Sequence, residues 1–403
     1  MLDLNSIKEA QKRLDGVIHH TPFSYAPILS EMSGYEVYLK KENLQRTGAF
    51  KLRGAFNKIA TLIEEEKRGG VVAASAGNHA QGVAFSAKHF NIDATIVMPE
   101  STPLNKIQGV KEFGANVILH GANYDEAYAH AMTYAQEKQQ DFVHPFTDNE
   151  VMSGQGTVAL EMLESQPDLD AIVVPVGGGG LIAGMGVAIN AISPKVKVIG
   201  VASAGAPAMK ESFDTKNAHG TKSVRTIADG IAVRDASPIT LEHILNEVDS
   251  LELVCEDEIA SAILFLLEKQ KLLVEGAGSV GVAALLHNKI NLPKGSKIGI
   301  VLSGGNIDVT MLSLIIEKGL VKSSRKMKLS VVMIDKPGSL MMFTELLKEV
   351  GANIVHIGYD RTSIDLEFGD AVVSVSLETK GVAHQDEVRS KLNENGFKFS
   401  EMQ

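Results

Sequence analysis

Short apolar runs punctuate the chain at regular intervals: VVAAS (71–75), ATIVMP (94–99), NVILH (116–120), DFVHPF (141–146), AIVVPV (171–176), KVIGVAS (197–203) and KIGIVLS (297–303). Each lies between stretches with helical spacing of apolar positions, the βα alternation that predicts a mainly parallel sheet. VVAAS and AIVVPV lack any polar alternation, so they predict strands covered on both faces. Gly69-Gly70 precedes one of these runs and Gly114 another, where glycine serves to end a helix.

The pattern changes near residue 321. Lys322-Ser323-Ser324-Arg325-Lys326 carries no apolar period and reads as a linker at 322–326. Beyond it, KLSVVMI, a turn, SLMMFTELLKEVG, NIVHIGYDR, DAVVSVSLE and HQDEVRSKLNENG give the order βαββα, a small α+β sandwich over 327–403. The preceding 1–321 then forms a larger α/β body, with a smaller lobe at roughly 50–150.

Composition narrows the partners. A net charge of −10 and the absence of Trp leave no broad basic surface with interleaved aromatics, which argues against nucleic acid and anionic membrane. The start MLDLNSIKEAQKRL is an amphipathic helix pattern without a secretory apolar run, so a cytoplasmic location is expected. Ala171 to Pro194 is uncharged and long, but its four consecutive glycines favour a buried strand, a tight loop and a small-residue helix over a membrane span. The single cysteine, Cys255 in LELVCED, excludes an internal disulfide and reads as a packing residue.

Four clusters carry chemistry. Lys51 sits in TGAFKLRG between Phe50 and Leu52, a desolvated setting that lowers an amine's pKa and lets it act as nucleophile and base. Ser75-Ala76-Gly77-Asn78-His79 joins an apolar strand to a helical segment, where free N–H groups favour an anion; a substrate carboxylate suits them, with simple N-capping by Ser75 or Asn78 as the alternative. Gly177-Gly178-Gly179-Gly180-Leu181 joins another strand to a helix and lets several amides converge on a phosphate. Gly178, Gly180 and Ala183 also fit a dinucleotide fingerprint, but the next strand, KVIGVASAGA, ends without the carboxylate that would hold a ribose. Ser303, ending IVLS, offers a neutral hydroxyl that bonds a pyridine nitrogen without keeping it protonated. An amine, a phosphate cradle and a neutral ring partner point to pyridoxal 5'-phosphate, used for eliminations rather than transamination.

In this order and spacing, TGAFKLRGAFNK, SAGNHAQG, GGGGLIAG and SGGN resemble the serine/threonine dehydratases of pyridoxal phosphate fold type II, related to the tryptophan synthase β-subunit fold, over roughly residues 5–320; TIADGIAV and HPFTDNEVMSGQGT look like threonine dehydratase segments. The resemblance implies that Lys51 bonds the cofactor aldehyde, with Phe50 beside it, that Asn78 meets the ring hydroxyl, that Gly177 to Leu181 hold the phosphate and that Ser303 meets the ring nitrogen. It further implies α,β-elimination of L-threonine to 2-oxobutanoate and ammonia, with Lys51 removing the Cα proton, and a homodimer or homotetramer. L-Serine dehydration is the near rival, because one methyl group separates the substrates. A third reading is a non-catalytic amino-acid-sensing relative, which the joint presence of Lys51, Asn78 and Ser303 disfavours.

Departures from the family pattern narrow the expectation. Ala49 stands where most relatives carry Ser two residues before the lysine, and Ala76 stands where the serine racemase branch has its second acid/base, so racemisation is disfavoured. Ala202 and Ala208 replace that branch's metal-binding acidic residues, and no metal is expected there. The segment from about 327 resembles an ACT domain, with Asp335-Lys336-Pro337-Gly338 at its first strand-to-helix turn; by that resemblance an amino-acid effector, isoleucine or valine first, binds at this turn and makes the enzyme allosteric, whether in isoleucine biosynthesis or threonine breakdown.

Overall fold

The computed structural model describes every residue except Arg68, Ser363, Asp365 and Gln403. The chain forms two compact units, Met1–Asp308 and Val309–Gln403.

The first unit is built on two sheets. The larger has six strands in the order Phe23–Tyr25, Glu36–Lys40, Lys297–Val301, Ala171–Pro175, Lys197–Ser203, Ser250–Val254. Its first pair is antiparallel and the rest are parallel. The smaller sheet is wholly parallel, in the order Asn116–Leu119, Ala94–Met98, Val71–Ala74, Asp141–Phe142. These are the mainly parallel strands expected from the alternation, in the two-lobed plan that the fold type II resemblance implies, and every apolar run named above contains a strand. Val71–Ala74 and Ala171–Pro175 are buried at every position, because helices cover both faces.

Helix 149–165 crosses the helices 51–64 and 180–192 at glycines. A Cβ on Gly154 would lie 2.4 Å from the Arg53 carbonyl oxygen, and one on Gly184 only 2.1 Å from that of Met152. Backbones thus touch directly. The four glycines that made 171–194 improbable as a membrane span form the loop before helix 180–192, and Gly184 serves the crossing. Among the described residues no helix is long and apolar enough to cross a membrane.

The second unit is an antiparallel four-stranded sheet, in the order Asn353–Asp360, Asp370–Glu378, Lys326–Ile334, Lys398–Glu401, with the helices Ser339–Glu349 and Val382–Glu394. Leu329, Val331, Phe343, Val373, Val375, Val388 and Leu392 form its core. A helix, Val309–Lys322, precedes the sheet, and the basic stretch turns at Ser323 to Arg325 before entering the strand at Lys326. The order is βαββαβ; the last strand, KFSE, is too short and polar for its pattern to announce it. Cys255 is exposed at the start of helix Glu256–Phe265. It is therefore no packing residue: Ser250–Val254 ends at Val254, and the following N-cap position faces solvent.

Candidate active site

Lys51 is the first residue of helix 51–64. The loop before it is stitched to the end of strand 297–301: the Phe50 N–H donates to the Ser303 carbonyl at 3.0 Å, Ala49 bridges Gly304, and the Gly305 N–H donates to the Gly48 carbonyl at 2.9 Å. Gly48 takes φ +73°, and a Cβ there would collide with the Asn306 amide. Lys51 Nζ donates to the Pro145 carbonyl at 2.8 Å and lies 5.3 Å from the Phe50 ring centre. Burial pushes this amine down to about 8, opposed by the charge of Glu275.

A buried ionic cluster anchors the same helix two residues on. The Arg53 guanidinium reaches Glu42 at 2.8 Å and Glu161 at 2.6 Å, and Lys40 Nζ reaches Glu161 at 2.5 Å. Thr21 donates its hydroxyl to Glu42. With two cations against two carboxylates, the cluster is neutral and nearly every donor has a partner, the condition under which burial is tolerable.

The second element starts helix 78–90. Gly77 occupies the N-cap position and no side chain caps the helix. The Ser75 hydroxyl instead accepts from the Gly77 N–H at 3.2 Å, so the N-capping alternative is not realised. The amides of Asn78, His79 and Ala80 have no acceptor among the described residues, leaving a helix N-terminus that favours an anion. The His79 ring is turned away: its Nε2 bonds the Val143 carbonyl at 2.8 Å, and burial together with the Lys51 charge holds it down to about 3. His79 therefore offers this corner its backbone N–H, not a cationic ring. Ala76 lines the same junction, half-buried against the small-lobe core.

The glycine loop precedes helix 180–192, with Gly179 at φ +87°. Added Cβ atoms would lie 2.7 Å from Ile231 at Gly177, 2.5 Å from the Phe146 ring at Gly178 and 2.7 Å from the Phe146 carbonyl at Gly180. Glycine is thus imposed by packing behind the loop as well as by access in front of it. The amides of Gly177 to Ile182, Leu181 among them, find no acceptor among the described residues. Ser303 is buried at the mouth of the adjoining strand.

Two residues to which sequence reasoning gave no role complete the site. The Glu275 carboxyl accepts from Asn78 Nδ2 at 2.7 Å, and Asn306 Nδ2 donates to Asn78 Oδ1 and to the Thr47 carbonyl, both at 2.8 Å. Burial first, then Asp229, raises Glu275 to about 7, against the Asn78 and Asn306 amides and Lys106, which favour its charge. An acidic residue in LLVEGAGS looks like a helix start, which it also is; only Asn306, beside Ser303 in SGGN, carried a signal worth following.

The family described as pyridoxal-phosphate dependent enzyme matches residues 14–304. The chain belongs to this family. Among the relatives of this pyridoxal-phosphate dependent enzyme, L-threonine ammonia-lyase of Thermotoga maritima is 49% identical over 98% of both chains. Of solved structures, threonine deaminase isoform 2 of Solanum lycopersicum superposes with a TM-score of 0.73 at 36% identity, covering 78% of this chain and 86% of that one. Maize serine racemase gives 0.74 at 36% identity, covering 79% of this chain and 98% of its own.

The site fits the cofactor of the family. The unpartnered amides of Gly177 to Ile182 suit a phosphate dianion, Lys51 is an enclosed amine of lowered basicity, and Asn78 and Ser303 supply neutral polar groups for a ring.

Proposed function

We propose that this enzyme is a threonine ammonia-lyase, converting L-threonine to 2-oxobutanoate and ammonia. The observation that carries the reading is the Lys51 amine, held down to about 8 beside two uncapped helix N-termini, in a chain similar to a threonine ammonia-lyase along nearly its whole length. Bound pyridoxal phosphate supplies the electron sink for the charge left at Cα. Lys51 takes and holds the Cα proton on Nζ. The amides of Asn78 to Ala80, with Ser75 and Gly77, receive the substrate carboxylate, and those of Gly177 to Ile182 receive the phosphate. Ser303 offers the ring nitrogen a hydroxyl that does not protonate it, which suits elimination. Loss of the β-hydroxyl as water and hydrolysis of the released product consume no net water.

The test is 2-oxobutanoate release from L-threonine by the purified full chain, with pyruvate release from L-serine alongside. Lys51→Ala is expected to abolish both. Turnover of L-serine alone would transfer the reading to a serine dehydratase, and none at all despite a bound cofactor would favour the amino-acid-sensing relative.

We further propose that the second unit is an ACT-type sensing module regulating a cytoplasmic homodimer or homotetramer. Supporting this, a recess of about 610 Å³ is lined by Asp335, Lys336, Pro337, Gly338, Leu340, Tyr359 and Arg361. Tyr359 donates to Asp335 at 2.7 Å, Arg361 lies 3.3 Å from its other oxygen, and Gly338 leaves helix 339–349 uncapped. Calorimetry of the full chain with isoleucine or valine should give saturable binding that Asp335→Ala removes, and light scattering reads the assembly; absence of heat with either amino acid would make the unit structural.

A further inference from the structure

We propose that Glu275 and Asn306 are positioning residues that clamp the Asn78 amide in one orientation, so that a single remaining N–H of Asn78 is presented to the cofactor ring. The proposal rests on the pyridoxal phosphate reading of the site.

The clamp has a fixed polarity that begins at the backbone. The Thr47 carbonyl only accepts, so the Asn306 group 2.8 Å away must be its Nδ2. The second Asn306 N–H then points at Asn78, 2.8 Å off, and the Asn78 atom facing it must be Oδ1. Asn78 Nδ2 is thereby forced to the other side, where it donates to Glu275 Oε1 at 2.7 Å. Of the two N–H bonds on the Asn78 side-chain amide, one is committed to Glu275 and the other has no acceptor among the described residues. An amide left to itself presents oxygen or nitrogen almost indifferently; here the choice is made by a chain of partners ending in a carboxylate.

The surroundings hold the clamp in place. The Glu275 N–H donates to the Gly304 carbonyl at 3.0 Å. A Cβ on Gly304 would lie 2.4 Å from Glu275 Oε1, and one on Gly230 3.2 Å from it, so two glycines make room for the carboxyl. The Asn306 side chain in turn fills the space over Gly48, in the loop leading to Lys51. The clamp therefore ties the lysine loop, the Asn78 helix and the end of the strand carrying Ser303 into one unit, and an amide turned over at Asn78 would place an acceptor where a ring oxygen requires a donor.

The experiment titrates pyridoxal 5'-phosphate into the cofactor-free full chain, reading the dissociation constant and the visible absorption band at matched far-UV circular dichroism. Glu275→Leu, which frees the amide to turn over, is expected to weaken binding about tenfold to a hundredfold and to shift the band, the loss of one buried hydrogen bond. Glu275→Gln keeps an acceptor oxygen and is expected to stay within about threefold of the parent. Asn306→Asp sets an acceptor against Asn78 Oδ1 and is expected to behave like Glu275→Leu. Adding Glu275→Gln to it supplies a donor for the turned-over amide and is expected to recover stability of the fold but not the parent band. Parent-like affinity and band in Glu275→Leu would overturn the clamp, as would a Gln variant as weak as the Leu variant. If the parent chain itself takes up no pyridoxal 5'-phosphate, the cofactor reading fails instead.

Discussion

Lys51 is made reactive by what surrounds it. An amine near its ordinary value of 10.5 is almost wholly protonated at pH 7, whereas one held down to about 8 is free in about one molecule in ten. Cofactor uptake by the stripped protein should accordingly speed up as pH rises through 8 and level off above it, followed by stopped-flow absorbance. His79 and His144 set an opposite limit. Held down to about 3 and about 4 by burial, they stay neutral in the fold, while the unfolded chain takes up their protons below about 6.5. Each has a folded pKa below its unfolded one, so stability is complete above 6.5 and declines as pH falls toward 4; urea midpoints at pH 7, 6 and 5 should descend, less so in His79→Gln. Lys51, Asn78 and the glycine run were readable because their neighbours form motifs of unusual composition. Glu275 was not, since its meaning comes from Asn78, 197 positions away, and no local pattern records such a partner.

The elements teach a related lesson. Strand Glu36–Lys40 escaped the hydrophobic pattern because it ends in a lysine, yet Lys40 is 1% exposed, its charge answered by Glu161 and Glu42. Sequence polarity here marks an interior position. Arg53, fully buried on the lysine helix, belongs to the same cluster. Arg53→Met removes its cation and leaves Glu42 and Glu161 with Lys40 alone; the expected loss is about 3–5 kcal/mol in urea unfolding, larger than for the coupled replacement of the whole cluster by apolar residues. Where helices 149–165 and 180–192 cross, Gly184→Ala would press a methyl into the Met152 carbonyl at 2.1 Å. A loss of about 1–3 kcal/mol is expected, with weakened cofactor binding, because the displaced helix carries the phosphate loop.

Across the first unit, polar pairs near the surface add to the glycine crossing, the stitched lysine loop and the buried Arg53 cluster in joining the small-sheet lobe to the larger sheet. Lys106 reaches Asp229 at 2.8 Å and Arg234 reaches Asp125 at 2.8 Å, while Asn105 lies 3.3 Å from Asp308. Such pairs are individually weak and screened by salt. They steady only the rim of the lobe contact: raising ionic strength, or combining Asp229→Asn with Arg234→Gln, should raise KM for L-threonine modestly while kcat changes less, in steady-state kinetics. The parallel strands were legible in the alternation of runs, and their division between two lobes came with the family resemblance, but which residues face each other across the lobes was not legible, because exposed charges carry no periodic signal.

The stitching of the Lys51 loop to the strand ending at Ser303 bears on how the molecule comes into being. Thr47 and Asn306 touch across 259 positions, so the lysine's surroundings wait for the end of the first unit to be made, whereas the small parallel sheet, spanning 71–142, draws on one contiguous stretch. During synthesis the small sheet has its full complement of chain long before the ring pocket does. The nascent chain thus reaches the state able to capture its cofactor only after the SGGN segment has left the ribosome, and until then its lysine lacks the enclosure that lowers its basicity.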